Sequence, residues 1–282
     1  MGKKKPRPIP VPPEPLPALF DAHTHLWSCG ARTPEQVREL MDRAAATGVE
    51  MVCNVGDDID ETREAVAQAE WDERIVAAAA IHPTKSHHLT DEIRAELAEL
   101  AAHPKVVAVG ECGLDWYWID KDTTGDTADK DTQIEALHWH IDLAKRLGKP
   151  LMIHNREADA DLLRELAGAG EPETVILHCF SSPFEVAEKV LDRGYILSFA
   201  GNSTFPANSH LREACAAAGR EQFVIETDAP FMTPVPFRGA RNEPQLIGYT
   251  ARVLAEARGE DPADFAAQAT ANARRIFGLD SR

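Results

Sequence analysis

An α/β fold, a (β/α)8 TIM barrel, is the architecture this sequence predicts, and three observations carry it. Short apolar runs of β type alternate with amphipathic helical stretches eight times along the chain. The 282 residues, 44% hydrophobic and 27% charged, suit one large barrel with a substantial core. Residues able to bind metal end the first, fourth, fifth, sixth and eighth apolar runs. A barrel gathers strand ends at one mouth. An open doubly wound sheet, the runner-up, leaves them hard to bring together.

Residues 1–17 read as a tail, basic at first and then proline-rich. Prolines at this density remove backbone donors and favour extended chain, so the tail is expected to be a flexible or semi-extended lead-in. One domain is expected over 18–282. Its strands are predicted at 19–22, 50–54, 75–80, 106–110, 151–153, 175–177, 196–199 and 223–226. Helices are predicted between them near 34–46, 60–69, 91–101, 132–147, 158–168, 183–192 and 208–217, with another near 244–257 after the last strand. A final helix opens on Asp261 as cap with Pro262 at its first position, and stops near Gly278. The polar stretch 120–131 lacks the glycine and terminal glutamate of a calcium loop and reads as a solvated loop.

Composition narrows the function class. The formal net charge is −16, which argues against nonspecific coating of nucleic acid but not against a local pocket for a strand end. The five cysteines form no CxxC pair and read as reduced intracellular thiols. No apolar run approaches membrane-spanning length, and the start lacks the apolar stretch of a signal peptide, so a cytoplasmic location and no membrane partner are expected.

The metal-ligand pattern is the chemical signal. His23 and His25 are two apart after an apolar run, and residues two apart on a strand share a face. Glu111 ends the run 106–110, where a buried carboxylate needs a cationic partner; a glutamate can bridge two cations with its two oxygens. His154 and His178 each follow a short apolar run, and Asp228 ends the last one. Four imidazoles and two carboxylates suffice for two divalent ions with open positions, a site that activates water and clamps a phosphoryl or acyl oxygen. Mixed imidazole and carboxylate donors accept magnesium, manganese or zinc. Glu226 is expected on the opposite strand face and is left out. His82, just past the third strand, either contacts substrate or caps the strand. Arg156 leans toward the His154 mouth, where its planar fork suits phosphate, unless Glu157 or Asp159 pairs with it. Trp116, Tyr117 and Trp118 either stack on bases or pack under a loop. Arg238 and Arg241 either touch nucleic-acid backbone or serve the surface.

Taken together, the motifs Asp21-Ala22-His23-Thr24-His25-Leu26, Gly110-Glu111-Cys112-Gly113-Leu114-Asp115, Ile153-His154-Asn155-Arg156, His178-Cys179-Phe180-Ser181 and Glu226-Thr227-Asp228-Ala229-Pro230 resemble the TatD family of metal-dependent deoxyribonucleases, within the amidohydrolase-like barrels. The resemblance runs from about Leu19 to Leu279. It implies that one ion takes His23, His25, Glu111 and Asp228, and that a second shares Glu111 and adds His154 and His178. It implies that His82 and Arg156 line the substrate pocket. Trp27 departs from the family, which often has an acid there, and the tail has no clear counterpart. The expected activity is hydrolysis of DNA phosphodiester bonds from the 3′ end, with Asp228 as proton acceptor and Glu111 bridging. The alternative is ester or amide hydrolysis, such as deacylation of D-aminoacyl-tRNA.

Overall fold

The structure, a computed structural model, describes residues 8–280; the basic start of the tail lies outside them. Eight parallel strands follow one another around the sheet in sequence order: β1 (Leu19–Thr24), β2 (Val49–Asn54), β3 (Ile75–Ala78), β4 (Val106–Asp115), β5 (Leu151–Arg156), β6 (Val175–Leu177), β7 (Ile196–Phe199) and β8 (Phe223–Ile225). The ring closes between β8 and β1 through the Thr24–Ala229 bridge, with the Asp228 N–H donating to the His23 carbonyl at 2.9 Å. The helices are α1 (Pro34–Ala45), α2 (Ile59–Trp71), α3 (Asp91–Ala102), α4 (Trp116–Lys121), α5 (Lys130–Leu147), α6 (Asp159–Ala169), α7 (Phe184–Asp192), α8 (Ser209–Ala217), α9 (Ile247–Arg258) and α10 (Pro262–Ile276). Several start where a side chain satisfies free amides of the first turn: Thr33, Asp58, Thr90, Asp115, Asp129 and Asp261 each accept from one.

The expected barrel is therefore what forms. Two elements differ from expectation. β4 continues past Gly110 to Asp115, and α4 occupies the aromatic stretch that follows it. The polar run after α4 carries no regular element until α5, as expected of a solvated loop.

Strand alternation sorts the core into two layers. Phe20, Ala22, Met152, Ile176, Ile196 and Val224 form an inner cluster with Phe277 and Leu279. Leu19, Val52, Leu151, Leu177, Leu197 and Ile225 join the outer cluster beneath the helices. The even-numbered inward parity of β5 to β8 carries on to His154, His178, Ser198 and Glu226. His23, His25 and Glu111 are odd-numbered, and their strands slip register, β1 between Asp21 and Thr24 and β4 between Val109 and Cys112. Such irregularities re-aim side chains, and here they accompany ligands that a strict alternation would turn outward.

Residues 8–17 form no helix or strand. They lie against the body, with Tyr249 Oη donating to the Val11 carbonyl at 2.9 Å and Arg252 to the Glu14 carbonyl at 2.7 Å. Gly48 permits this approach: its φ is +96°, and a Cβ there would stand 1.7 Å from the Leu16 carbonyl oxygen. All five cysteines are free thiols. No helix among the described residues is long and apolar enough to cross a membrane.

Candidate metal centre

Glu111 is buried at the strand ends, and its two oxygens face two different groups of donors. Oε1 lies 3.5 Å from His23 Nε2 and 3.6 Å from His25 Nε2. Asp228 Oδ1 lies 3.8 and 3.5 Å from the same two nitrogens, which are 3.2 Å apart. Oε2 lies 2.8 Å from His178 Nε2 and 3.4 Å from His154 Nδ1. The His23 and His178 rings stack at 4.0 Å, so the two groups are contiguous. Tetrahedral donors about 2.1 Å from one ion sit about 3.4 Å from each other. The first group is close to that spacing; in the second, His154 Nδ1 lies 3.4 Å from both Glu111 Oε2 and His178 Nε2, while His178 Nε2 is at hydrogen-bonding distance, 2.8 Å, from Oε2. The residues present fit divalent ions.

The far ring nitrogens set the tautomers. His25 Nδ1–H donates to the Val55 carbonyl at 3.0 Å, so Nε2 is the nitrogen turned toward Glu111 and Asp228. His154 Nε2–H donates to Asp115 Oδ2 at 2.9 Å, turning Nδ1 inward. His178 Nδ1–H donates to Glu226 Oε1 at 3.2 Å, turning Nε2 inward. Glu226 is itself held by the Ser198 hydroxyl and by the Cys179 N–H at 2.8 Å. Carboxylates behind imidazoles raise their basicity and fix their orientation. His23 Nδ1 instead meets the Met152 sulfur at 3.1 Å.

The charges follow from this packing. Burial opposes the Glu111 charge, yet His178 and His23 hold its carboxyl well below the usual range. Burial likewise opposes the Asp228 charge, and the His25 hydrogen bond with His178 and His23 outweighs it. Burial lowers the His25 pKa, but Asp228, Asp57 and Glu111 together push it up to about 10. His82 goes the other way, down to about 3, through burial and the neighbouring His154. Its Nδ1 accepts from the Thr84 N–H at 3.3 Å, so neutral His82 carries its proton on Nε2. A ring nitrogen of His82 lies within 4.8 Å of donor atoms of Glu111 and His154.

A donor set of this kind, at the C-terminal mouth of a (β/α)8 barrel, is what a metal-dependent hydrolase requires. The family model described as TatD related DNase matches residues 20–278. The chain belongs to that family. An uncharacterized metal-dependent hydrolase, TatD, of Mycobacterium tuberculosis is 51% identical over 261 residues, covering 93% of this chain and 98% of that protein. The 3′-5′ ssDNA/RNA exonuclease TatD of Cronobacter sakazakii is 31% identical over 251 residues, covering 85% of this chain and 90% of that one. The crystal structure of the TatD homolog YJJV of Escherichia coli matches with a TM-score of 0.80 and 27% identity, over 92% of this chain and 98% of that chain. This TatD-family chain is therefore a metal-dependent hydrolase.

Each residue expected at the centre lies in or beside it: His23, His25, Glu111, His154, His178 and Asp228 around the two oxygens of Glu111, and His82 edge-on to His154 at 4.4 Å. Arg156 ends β5 with its guanidinium 3.7 Å over the Tyr117 ring, and among the described residues it pairs with no carboxylate. Asp159, a suggested partner for it, binds Asn155 and Ser182 instead. Of the two loop arginines, Arg238 stacks on Phe205 at 4.2 Å and Arg241 donates to the Ser28 carbonyl. Trp27 lies under the Arg32 guanidinium at 4.5 Å.

One expectation is corrected. Glu226, expected on the opposite strand face and away from the centre, is fully buried and accepts from His178. Residues two apart on a strand share a face, and Val224 already faces the barrel interior. Sequence reasoning also missed Asp115 and Asp21. Asp115 ends a quoted motif and sits where a helix cap would. Asp21 precedes His23 by two and accepts from the Thr227 N–H at 2.8 Å, tying β1 to the chain after β8.

Proposed function

We propose that this chain is a phosphodiesterase acting on DNA strand ends, a 3′-5′ exodeoxyribonuclease using two divalent ions. The observation that carries the reading is Glu111, with one oxygen toward His23, His25 and Asp228 and the other toward His154 and His178. Magnesium, manganese or zinc bound there would supply Lewis acidity at the phosphoryl oxygen and acidify the attacking water. Glu111 shares its charge between the two groups. Asp228 is ionised and faces the mouth beside His25, so it can accept the proton of the attacking water. Neutral His82 offers its Nε2–H to a substrate oxygen. Arg156, paired with no carboxylate among the described residues, binds the phosphate through its planar fork. The 3′-to-5′ direction and the nucleic-acid substrate are supported by the name of the Cronobacter relative.

The test is hydrolysis of 3′- and 5′-labelled single-stranded DNA by metal-stripped protein, with each ion added back and His154→Ala run beside it. Release of mononucleotides from the 3′ end, restored by metal and lost in the variant, is expected. Intact DNA with every ion, together with free amino acid released from charged tRNA, would overturn the reading in favour of ester hydrolysis.

A further inference from the structure

Beside the proposed phosphate contact the surface changes character. Trp116, the first residue of α4, is packed away, its indole N–H donating to Asp161 at 2.9 Å. Trp118, two residues on, leaves 45% of its surface exposed. Tyr117 stands edge-on to it at 5.2 Å and steadies the indole. Tyr117 also carries the Arg156 guanidinium at 3.7 Å, which lies 5.7 Å from the Trp118 ring. Lys121 lies 5.8 Å over the Tyr117 ring, and among the described residues it too pairs with no carboxylate. Two cations without a carboxylate partner among the described residues thus lie over these rings in a chain of net charge −16. Trp118 also lines a cavity of about 340 Å³, together with Lys85, Lys121 and threonines including Thr84 and Thr124. The acids on its wall are already engaged: Asp126 pairs with Lys85, and Asp122 accepts from the Thr124 and Thr127 N–H groups.

The shelf is also coupled to the metal centre. Asp115 Oδ2 holds His154, and Oδ1 of the same carboxylate accepts from the Trp118 N–H at 2.9 Å. One side chain therefore fixes both the imidazole and the start of the aromatic helix.

We infer that Trp118, supported by Tyr117 and bordered by Lys121 and Arg156, is a stacking subsite for an unpaired base of the strand whose phosphate is being cleaved. Aromatic faces accept any base, and cations beside them track the backbone. Bases in a duplex are already stacked and cannot reach this face, so the subsite favours single strands and frayed ends. The inference rests on the nuclease reading and deepens it.

The experiment walks an abasic residue along a short single-stranded oligonucleotide and measures kcat and KM for wild type, Trp118→Ala and Trp118→Phe, with metal supplied. In the wild type, one abasic position near the scissile bond is expected to raise KM about tenfold, the scale of one lost stacking contact. In Trp118→Ala the intact strand should show that raised KM, and the abasic position should add no further loss; Trp118→Phe should recover most of the difference. Trp71→Ala, at another exposed tryptophan far along the chain on α2, serves as control for removing a surface indole. Equal sensitivity to the abasic residue in wild type and Trp118→Ala would overturn the subsite alone. No cleavage of any strand by wild type would overturn the nuclease reading and the subsite together.

Discussion

The two halves of the metal centre hold their imidazoles by different means. On the β1–β8 side, His23 and His25 make their rear contacts with neutral groups, the Met152 sulfur and the Val55 carbonyl, with Asp57 3.7 Å behind His25, and a carboxylate, Asp228, stands among the donors themselves. On the β5–β6 side, among the described residues, Glu111 is the carboxylate paired with the inward nitrogens of His154 and His178, and negative charge stands one ring further out, on Asp115 and Glu226. Each half thus has carboxylate charge besides Glu111: in one it includes a carboxylate among the donors, and in the other it is applied through imidazole alone. The direct arrangement leaves an oxygen at the mouth that can take a proton. The indirect one makes His154 and His178 stronger donors. The backbone differs as well. Asp228 sits at φ 52°, a left-handed conformation uncommon for a non-glycine residue, while its N–H and the neighbouring His25 N–H close the barrel.

This comparison can be broken most severely at the residue both halves share. Glu111→Gln keeps the shape but removes the charge, and is expected to abolish measurable turnover and weaken metal uptake at both halves; titration by calorimetry that still showed full uptake would sink the bridging role. Next in size is Asp228→Asn, expected to cut kcat by about 10²- to 10⁴-fold through loss of the proton acceptor, with nucleic-acid binding largely kept. A Kd for DNA that collapses along with kcat would make Asp228 a binding residue instead. Smaller effects come from behind the rings. Asp115→Asn and Glu226→Gln should each lower metal affinity about 10- to 100-fold, at the β5–β6 half only, so that a two-step metal titration loses its resolution in one step and keeps the other. Equal weakening of both steps would show that the halves are not separately supported.

The gentlest probe is pH. His25 in the metal-free protein keeps its proton up to about pH 10, and His178 is likewise raised well above the usual imidazole value, burial in each case being outweighed by neighbouring carboxylates. A ligating imidazole must be deprotonated, so metal uptake at neutral pH expels these protons and affinity rises with pH. Calorimetry in buffers of different ionisation enthalpy should detect protons released at pH 7 from His25 and His178, with a contribution from His154, where burial is likewise outweighed by Asp115 and Glu111; none released would mean that these imidazoles are already neutral.

Much of this was legible along the chain. Strand and helix alternation depends on local periodicity, and each predicted strand is found within a few residues of its place except β4, whose extension past Gly110 involves a register slip that no local pattern announces. The residues around Glu111 were legible because each ends an apolar run, and strand ends meet at one mouth in a barrel. Their supports were not: Asp115 stands 39 residues from His154 and Glu226 stands 48 from His178. For the aromatic triplet the sequence left stacking and packing equally weighted, and only the structure separates buried Trp116 from exposed Trp118.

By itself, then, the sequence determined the alternating elements, the order of the metal-binding residues and the family, because these follow from periodicity and from motifs contained within a few neighbours. Tertiary structure alone decided which carboxylate stands behind which imidazole, how the odd-numbered histidines of β1 come to face the centre, where residues 8–17 lie and which tryptophan meets solvent. Those outcomes depend on which distant side chains ring closure brings within hydrogen-bonding distance, and that distance is set by the packing of the whole barrel.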